Sequence, residues 1–440
     1  MKMKCRMLLC AVSGSLLTAA SALPVCPASA AQDGEETEIV MTAVIRMDGT
    51  SVQAEGENVT VDGTKITVSA SGNYEFSGTL DDGQIIVHVP DENTDAETVK
   101  LFFNGVNITG LSEAPVLVEN AENTSINLVA DTENFLYDGE KYTNTTAVIY
   151  AKDDITIKGE GKLRIEAAYQ YGIHCNNDVK ITGGTVKVKT QTGDAIRGKT
   201  SVQVKGGNLD INSEGDGIKS TKGKVLISGG NIDIKASNDA VQAETALQIS
   251  GGVLKANGDR GLKNEAGSVV ITGGTVLATA TDDQVVGLDS TQYAVMFQTS
   301  TEQVKDQIIA LKNTAEDKIC FEMIPDKKFD YVMISAPELT ADTAYTLLIG
   351  GKECAEFTLT DTMTVLEPVT VPADAAVTNF DIDCNGEENI LDAIFLARLV
   401  QEDTTLAVTD ESLERSDLNA DGFLTVADTT FLLRYLAGLL

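Results

Sequence analysis

A tetrapeptide repeated five times constrains this chain more than any other feature: Ile181-Thr-Gly-Gly184, Val204-Lys-Gly-Gly207, Ile227-Ser-Gly-Gly230, Ile249-Ser-Gly-Gly252 and Ile271-Thr-Gly-Gly274. The second glycines follow one another at intervals of 22 or 23 residues (184, 207, 230, 252, 274). Each Gly pair leads into an alternating run such as Thr185-Val-Lys-Val188 or Asn231-Ile-Asp-Ile234, and then into a small polar turn. A fixed period in the low twenties means stacked units, each burying its apolar face against its neighbours. Ile149, Ile173, Ile196, Ile218, Val241, Leu262 and Val285 form a second column at nearly the same interval, the pattern of an interior ladder. Three short strands per turn and two sharp corners fit these numbers. The expected fold class is therefore mainly β, a parallel β-helix, right-handed as parallel crossovers nearly always are.

Strand-like segments with degraded motifs run from Glu38 to about Val129 and read as the first rungs and cap of the same stack. After Asp289 the repeat stops, and Tyr293–Gln298, Lys318–Met323, Asp330–Ile334, Tyr345–Ile349 and Glu356–Leu359 read as strands of a small β cap. Residues 367–377, with Pro368 and Pro372, read as an extended linker. The expected organisation is a signal peptide over 1–30, the β-helix with its caps over 38–366, the linker, and a small module over 378–440.

The signal peptide rests on Lys2, Lys4 and Arg6 ahead of the apolar Met7–Leu17 stretch, and on the small residues Ala28-Ser29-Ala30. Its removal leaves a secreted, extracellular chain with no expected membrane span. The formal net charge of −33 becomes still more negative without those three cations. Nucleic acid and anionic lipid are thereby disfavoured as partners, since both call for a cationic surface. An acidic excess serves either plain solubility or divalent-cation binding. Of the seven cysteines, Cys175, Cys320, Cys354 and Cys384 remain; none has zinc-ligand spacing, and Cys320 with Cys354 could form a bridge.

Beyond the linker the chemistry changes. Asp381, Asp383, Asn385, Asn389 and Asp392 stand at positions 1, 3, 5, 9 and 12 of one loop, with Gly386 at position 6. Asp417, Asn419, Asp421, Thr425 and Asp428 repeat the pattern around Gly422. Alternate oxygen ligands converging on one cation, with a glycine for the sharp turn, are the signature of a Ca²⁺ loop. The carbonyls of Glu387 and Phe423 would supply position 7. A helix follows each loop, and Ile394-Phe395-Leu-Ala-Arg398 matches Thr430-Phe431-Leu-Leu-Arg434. The segment resembles a type I dockerin. That resemblance implies two bound Ca²⁺ ions and docking to a cohesin module of a cellulosomal scaffoldin. It further implies cohesin faces built from Ile390, Leu391 and Arg398, and from Val426, Ala427 and Arg434. The apolar pairs could instead pack between the two loop–helix units.

The turns of the repeat deliver aspartates: Asp194, Asp216, Asp239 and, in a less regular turn, Asp283, with Asp259 displaced by one residue. In one column they would lie roughly 4.8 Å apart. At an effective dielectric of 20, two unit charges at that distance repel by roughly 3–4 kcal/mol. Either Ca²⁺ bridges the row, or aspartate is there to hydrogen-bond the turn backbone.

Together with Gly78-Thr-Leu80, Asp82-Gly-Gln-Ile85 and Ala151-Lys-Asp-Asp154, these turns resemble a bacterial carbohydrate-binding β-helix family over about residues 38–366. The resemblance implies a polysaccharide-lyase-like fold, Ca²⁺ and plant cell-wall polysaccharide, with pectate and cellulose as candidates. The chain departs from the family pattern at Tyr171, which loses a ligand and adds an aromatic for a sugar to stack on. Arg197, Lys219, Arg260 and Lys263 follow the turns; they serve as ion-pair partners of the ladder or, in a Ca²⁺-dependent lyase, Arg197 and Lys219 as base or uronate clamp. A non-catalytic adhesin or stalk is the third reading. With 5% aromatic residues and no Trp, recognition of an acidic or hydroxyl-rich glycan is favoured over stacking on crystalline cellulose.

Overall fold

The computed structural model describes residues 39–437 apart from 112, 140–144, 282–286, 373–379, 386–387, 402, 404, 407, 410–411, 414 and 419–423. The expected signal peptide, Asp283 and Val285 of the repeat, and Glu387, Asn419, Asp421 and Phe423 of the acidic loops lie outside the described residues.

The repeated isoleucines do what their spacing requires. Ile149 pairs in parallel with Ile173, Ile173 with Ile196, Ile196 with Ile218, Ile218 with Val241, and Val241 with Leu262. All six are at most 1% exposed, and full burial of each such side chain is worth roughly 1.5–3 kcal/mol. A slip of one residue would turn the whole ladder outward, so the pattern holds the register. The result is a mainly β chain whose largest part is a β-helix-like coil.

One face of the coil is a ten-stranded sheet running from Val59–Asp62 to Arg260–Asn264, parallel except at its first pairing. The degraded early repeats Lys65–Val68, Gln84–His88 and Val116–Asn120 belong to this sheet, as expected. Two further strands of each unit, such as Ser201–Val204 and Asn208–Ser213, stack in parallel on their counterparts one unit away. The corner between them is the Gly-Gly pair. Gly184, Gly207, Gly230, Gly252 and Gly274 have φ between +83° and +95°, and a Cβ on Gly207 would lie 2.8 Å from the Gly184 carbonyl oxygen. Only glycine satisfies both conditions without strain.

Both ends of the coil are closed by antiparallel strands. Ala43–Gly49 pairs in parallel with Gly72–Leu80 and carries the antiparallel strand Ser51–Gly56 on its other edge. At the far end Phe329–Ser335 runs antiparallel to Val269–Ala280 and to Ala294–Gln303. The cap also holds a four-stranded sheet in the order 318–323, 309–313, 343–349, 352–359. The strand Ile309–Asn313 was not expected, yet it is central. In that order Cys320 and Cys354 sit on the two outer strands, about 14 Å apart at the usual strand spacing. A disulfide cannot span that distance, and both thiols are free. The expected linker begins later than its prolines suggest, because Val369 is bridged to Thr299 and only 3% exposed.

The C-terminal segment has its own small core of Phe380, Ile382, Ala393, Leu396, Leu418 and Leu432. It includes the helices Ile390–Val400 and Val426–Leu436, each opened by a capping box: Asn389 with Asp392, and Thr425 with Asp428. Among the described residues no helix is long and apolar enough to cross a membrane.

Candidate functional site

Register places the turn residues in a column. Asp239 pairs with Arg260, and counting back from the isoleucine ladder sets Tyr171, Asp194, Asp216 and Asp239 on successive rungs. The next rung therefore carries Arg260, which is why Asp259 falls out of line. Asp194, Asp216 and Asp239 are between 2% and 7% exposed.

The charges that the spacing predicted to repel are compensated within the chain. Asp194 accepts a hydrogen bond from the Asp216 backbone N–H through Oδ1 (2.9 Å) and one from Arg197 through Oδ2 (2.8 Å). Asp216 accepts from the Asp239 N–H (3.1 Å) and from the Lys219 ammonium. Asp239 faces Lys263 at 3.4 Å and Arg260 at 3.7 Å. Burial pushes the Asp239 carboxyl above its ordinary value; Lys263 pulls it down only in part, and Asp216 adds to the rise. Each of the first two aspartates bonds the next turn, and Arg197, Lys219, Arg260 and Lys263 are ion-pair partners of the ladder.

The residue three places after each turn forms a second, outward column: Tyr150, His174, Arg197, Lys219, Gln242 and Lys263. At one end it is aromatic. The His174 ring stands edge-on to Tyr150 (5.3 Å) and Tyr171 (5.2 Å), and the Arg197 guanidinium lies 4.9 Å over the Tyr171 ring. His174 Nδ1 is 2.8 Å from Thr146 Oγ1. Burial, and then the Arg197 charge, hold the His174 imidazole down at about 4, so it is neutral at pH 7. At the other end a groove of about 240 Å³ is lined by Asp216, Asp239 and Asp259 on the acidic side and Lys219, Arg260 and Lys263 on the basic side. Sequence reasoning missed His174 and Gln242 as members of the site. Counting three residues on from each turn finds both.

The acidic loops are a separate centre. In the first, Asp381, Asp383 and Asp392 bring ligand oxygens within 4.8 Å of one another, the arrangement of this kind found among the described residues. Asp392 Oδ1 accepts from the N–H groups of Ile382 (2.7 Å) and Asp383 (3.2 Å), which wraps the loop around the helix start. Asn385 N–H donates to Asp381 Oδ1 at 2.9 Å. Arg415 touches Asp381 at 3.5 Å. An all-oxygen donor set of this charge suits Ca²⁺. Asp428 repeats the role of Asp392, accepting from the Leu418 N–H at 2.9 Å. The candidate docking residues Ile390, Leu391 and Val426 are 54%, 53% and 68% exposed, so they do not pack between the two units. Ala427, Arg398 and Arg434 are exposed as well, Arg398 holding Asp403 at 2.8 Å.

A stacked β-helix-like coil with a charge-balanced polar groove along one face defines a surface for an extended, polar polymer. Residues 62–293 match the family of carbohydrate-binding domain-containing proteins, and the chain belongs to that family. It is 39% identical over 157 residues to a carbohydrate-binding domain-containing protein of Acetivibrio thermocellus, over 34% of this chain and 54% of that protein. The chain thus spans about half the length of the curated relative it matches. A solved structure of a polysaccharide lyase-like protein from C. thermocellum, a gadolinium derivative, aligns at 31% identity over 56% of this chain and 97% of its own, with a TM-score of 0.43.

Proposed function

We propose that this is a secreted, non-catalytic polysaccharide-binding protein whose β-helix-like coil holds an acidic plant cell-wall glycan such as pectate along the outward column. The observation that carries the reading is the row Arg197, Lys219 and Lys263, each tied to a ladder aspartate. A guanidinium has five N–H donors and an ammonium three, so one bond to the ladder leaves donors for a uronate carboxylate. The aspartates fix where those cations point. Tyr150, Tyr171 and neutral His174 offer faces on which a sugar ring can stack.

In the same reading the C-terminal segment is a dockerin that takes Ca²⁺ in both loops and plugs the protein into a scaffoldin cohesin. The exposed apolar pairs beside each helix start support this. Asp381, Asp383, Asp392 and their counterparts Asp417 and Asp428 would hold the ions. Along the ladder, Ca²⁺ enters as a competing arrangement, since an ion bridging Asp194 and Asp216 must displace Arg197 or Lys219.

The test is affinity electrophoresis on polygalacturonate, with and without chelator. Lys219→Ala combined with Arg197→Ala is expected to abolish most of the retardation, and chelator to leave it intact. Retardation that persists in the double variant sinks the cation clamp; retardation lost to chelator instead favours Ca²⁺ bridging. The lyase alternative predicts an unsaturated, ultraviolet-absorbing product that disappears in Arg197→Ala or Lys219→Ala. A cohesin pull-down, run with and without Ca²⁺, tests the docking separately.

A further inference from the structure

The cap touches the coil a second time, away from the strand pairing that joins them. Between the cap strands Lys318–Met323 and Phe329–Ser335, the loop 324–328 reaches back to the flank of the coil, against Asn231–Ala236 and Ala246–Asn257. The Asp326 carboxylate meets Lys255 and, at 3.4 Å, Lys235. Its N–H donates to Asn257 Oδ1 at 3.3 Å, and Lys327 donates to the Ala236 carbonyl. Asn257 is fully buried and also bonds Ile234 and Thr279, both at 3.0 Å, so it ties the loop to three rungs. Little apolar surface holds this contact: of the loop's five residues only Pro325 is buried, and Ile324 is 44% exposed. Lys255 is moreover shared. Its ammonium also holds Asp233 at 2.8 Å, so two carboxylates from different parts of the fold compete for one cation. Burial raises the Asp233 carboxyl above its ordinary value; Lys255 opposes the rise and Asp326 adds to it. Among the described residues Asp233 Oδ1 is buried without a hydrogen-bond partner. A partly satisfied network of this kind contributes little net stability.

We propose that residues 324–328 form an ionic strap that opens and closes on the flank of the coil while the cap stays paired to it, with Lys255 as the shared switch residue; the proposal does not depend on what the charged groove holds. The antiparallel pairing of Phe329–Ser335 with Val269–Ala280 is the fixed joint. The strap's ion pairs, by contrast, join side chains that are 20% (Lys255), 21% (Asp326) and 38% (Lys235) exposed, within reach of water and of dissolved salt. A segment held this way opens at a lower free energy than the ladder beneath it. Opening uncovers Asn257 and withdraws Lys327. Burial lowers the Lys327 ammonium below its ordinary value, and the charges of Asp259 and Glu214 offset that in part. Because Asp259 lines the charged groove, the position of the strap sets the charge balance at that end of the groove.

The test is hydrogen exchange by mass spectrometry on the full chain, comparing peptides that contain Asp326 and Lys327 with peptides of the ladder strands at Ile196 and Ile218. In the wild type the strap should exchange faster than the ladder, and faster still as NaCl rises from about 0.02 to about 0.5 M. Lys255→Met keeps most of the aliphatic stem but removes the shared cation, and should speed exchange of the strap roughly tenfold with the ladder unchanged. Asp326→Asn lies on the loop itself and retains the N–H that reports; it should act in the same direction, and it decides the matter if Lys255→Met disturbs the coil. Asp233→Asn releases Lys255 to Asp326 and should slow exchange of the strap, a sign that a merely structural network would not give. Strap amides that exchange only together with the ladder, a wild type indifferent to salt, wild-type protection in Asp326→Asn, or loosening in Asp233→Asn equal to that in Lys255→Met would overturn the proposal.

Discussion

Asp216 sits at the centre of the ladder, and its two oxygens do different jobs: one holds the next turn and the other a cation. Asp216→Asn keeps an acceptor for the Asp239 N–H, whereas Asp216→Ala leaves that donor buried and unmet. Denaturant titration should find the alanine variant the less stable by about 1–2 kcal/mol. Lys219→Ala strands a carboxylate that is 3% exposed beside a lysine that is 24% exposed. The full penalty for breaking a buried pair is several kcal/mol; with this much solvent access about 1–3 kcal/mol is expected. His174 makes stability depend on pH. The unfolded chain protonates it near 6.5 and the folded chain only near 4. Its stabilising contribution is thus complete above 6.5 and lost as pH falls to about 4. His174→Gln should flatten a urea-stability profile across that window. Asp239 works in the opposite sense. Its folded value is raised, so its contribution diminishes as pH climbs from the ordinary carboxylate value through the raised one.

Among the elements, the glycine corner is the least replaceable. Gly230 has φ +95°, and a Cβ there would sit 2.9 Å from the Gly207 carbonyl oxygen, a backbone atom that cannot swing away. Gly230→Ala is expected to cost about 1–3 kcal/mol, read as a lowered melting temperature, while Gly267→Ala, where a Cβ meets nothing within 4 Å, should be nearly silent. The corners, the isoleucine ladder and the aspartate column were all legible in the sequence because each obeys one period, and a period fixes register. Features without a period were not. Ile309–Asn313 is a short run with no turn signal of its own, and its place follows from two partners far along the chain. Val369 looked like linker because its burial comes from docking on Thr299, which local composition does not record. His174 escaped because the early turns have lost the Gly-Asp motif that marks the later ones.

At the scale of the molecule, the coil and the C-terminal module have separate hydrophobic cores and should answer differently to metal. Three carboxylates lie within 4.8 Å of one another in the first loop; if they hold the proposed Ca²⁺, folding linked to binding would make the module's stability metal-dependent. Calorimetry is expected to show a transition that moves down on adding chelator and another that does not move. Asp392→Ala should abolish the Ca²⁺-sensitive transition, because it removes both the ligand and the cap of Ile390–Val400. The unmoved transition belongs to the coil, whose charges are compensated internally.

The antiparallel strands at either end of the coil have a bearing on how such a protein can change in length. Because they cover the edges of the coil, a unit clear of the cap contacts at Lys235, Ala236 and Lys255 can be added with like neighbours on both sides. Inserting a copy of residues 208–230 would create one more ladder aspartate, one more paired lysine and one more serine beside the glycine corner. The coil would then grow by one strand spacing, about 4.8 Å, with both faces lengthened in step by the same duplication.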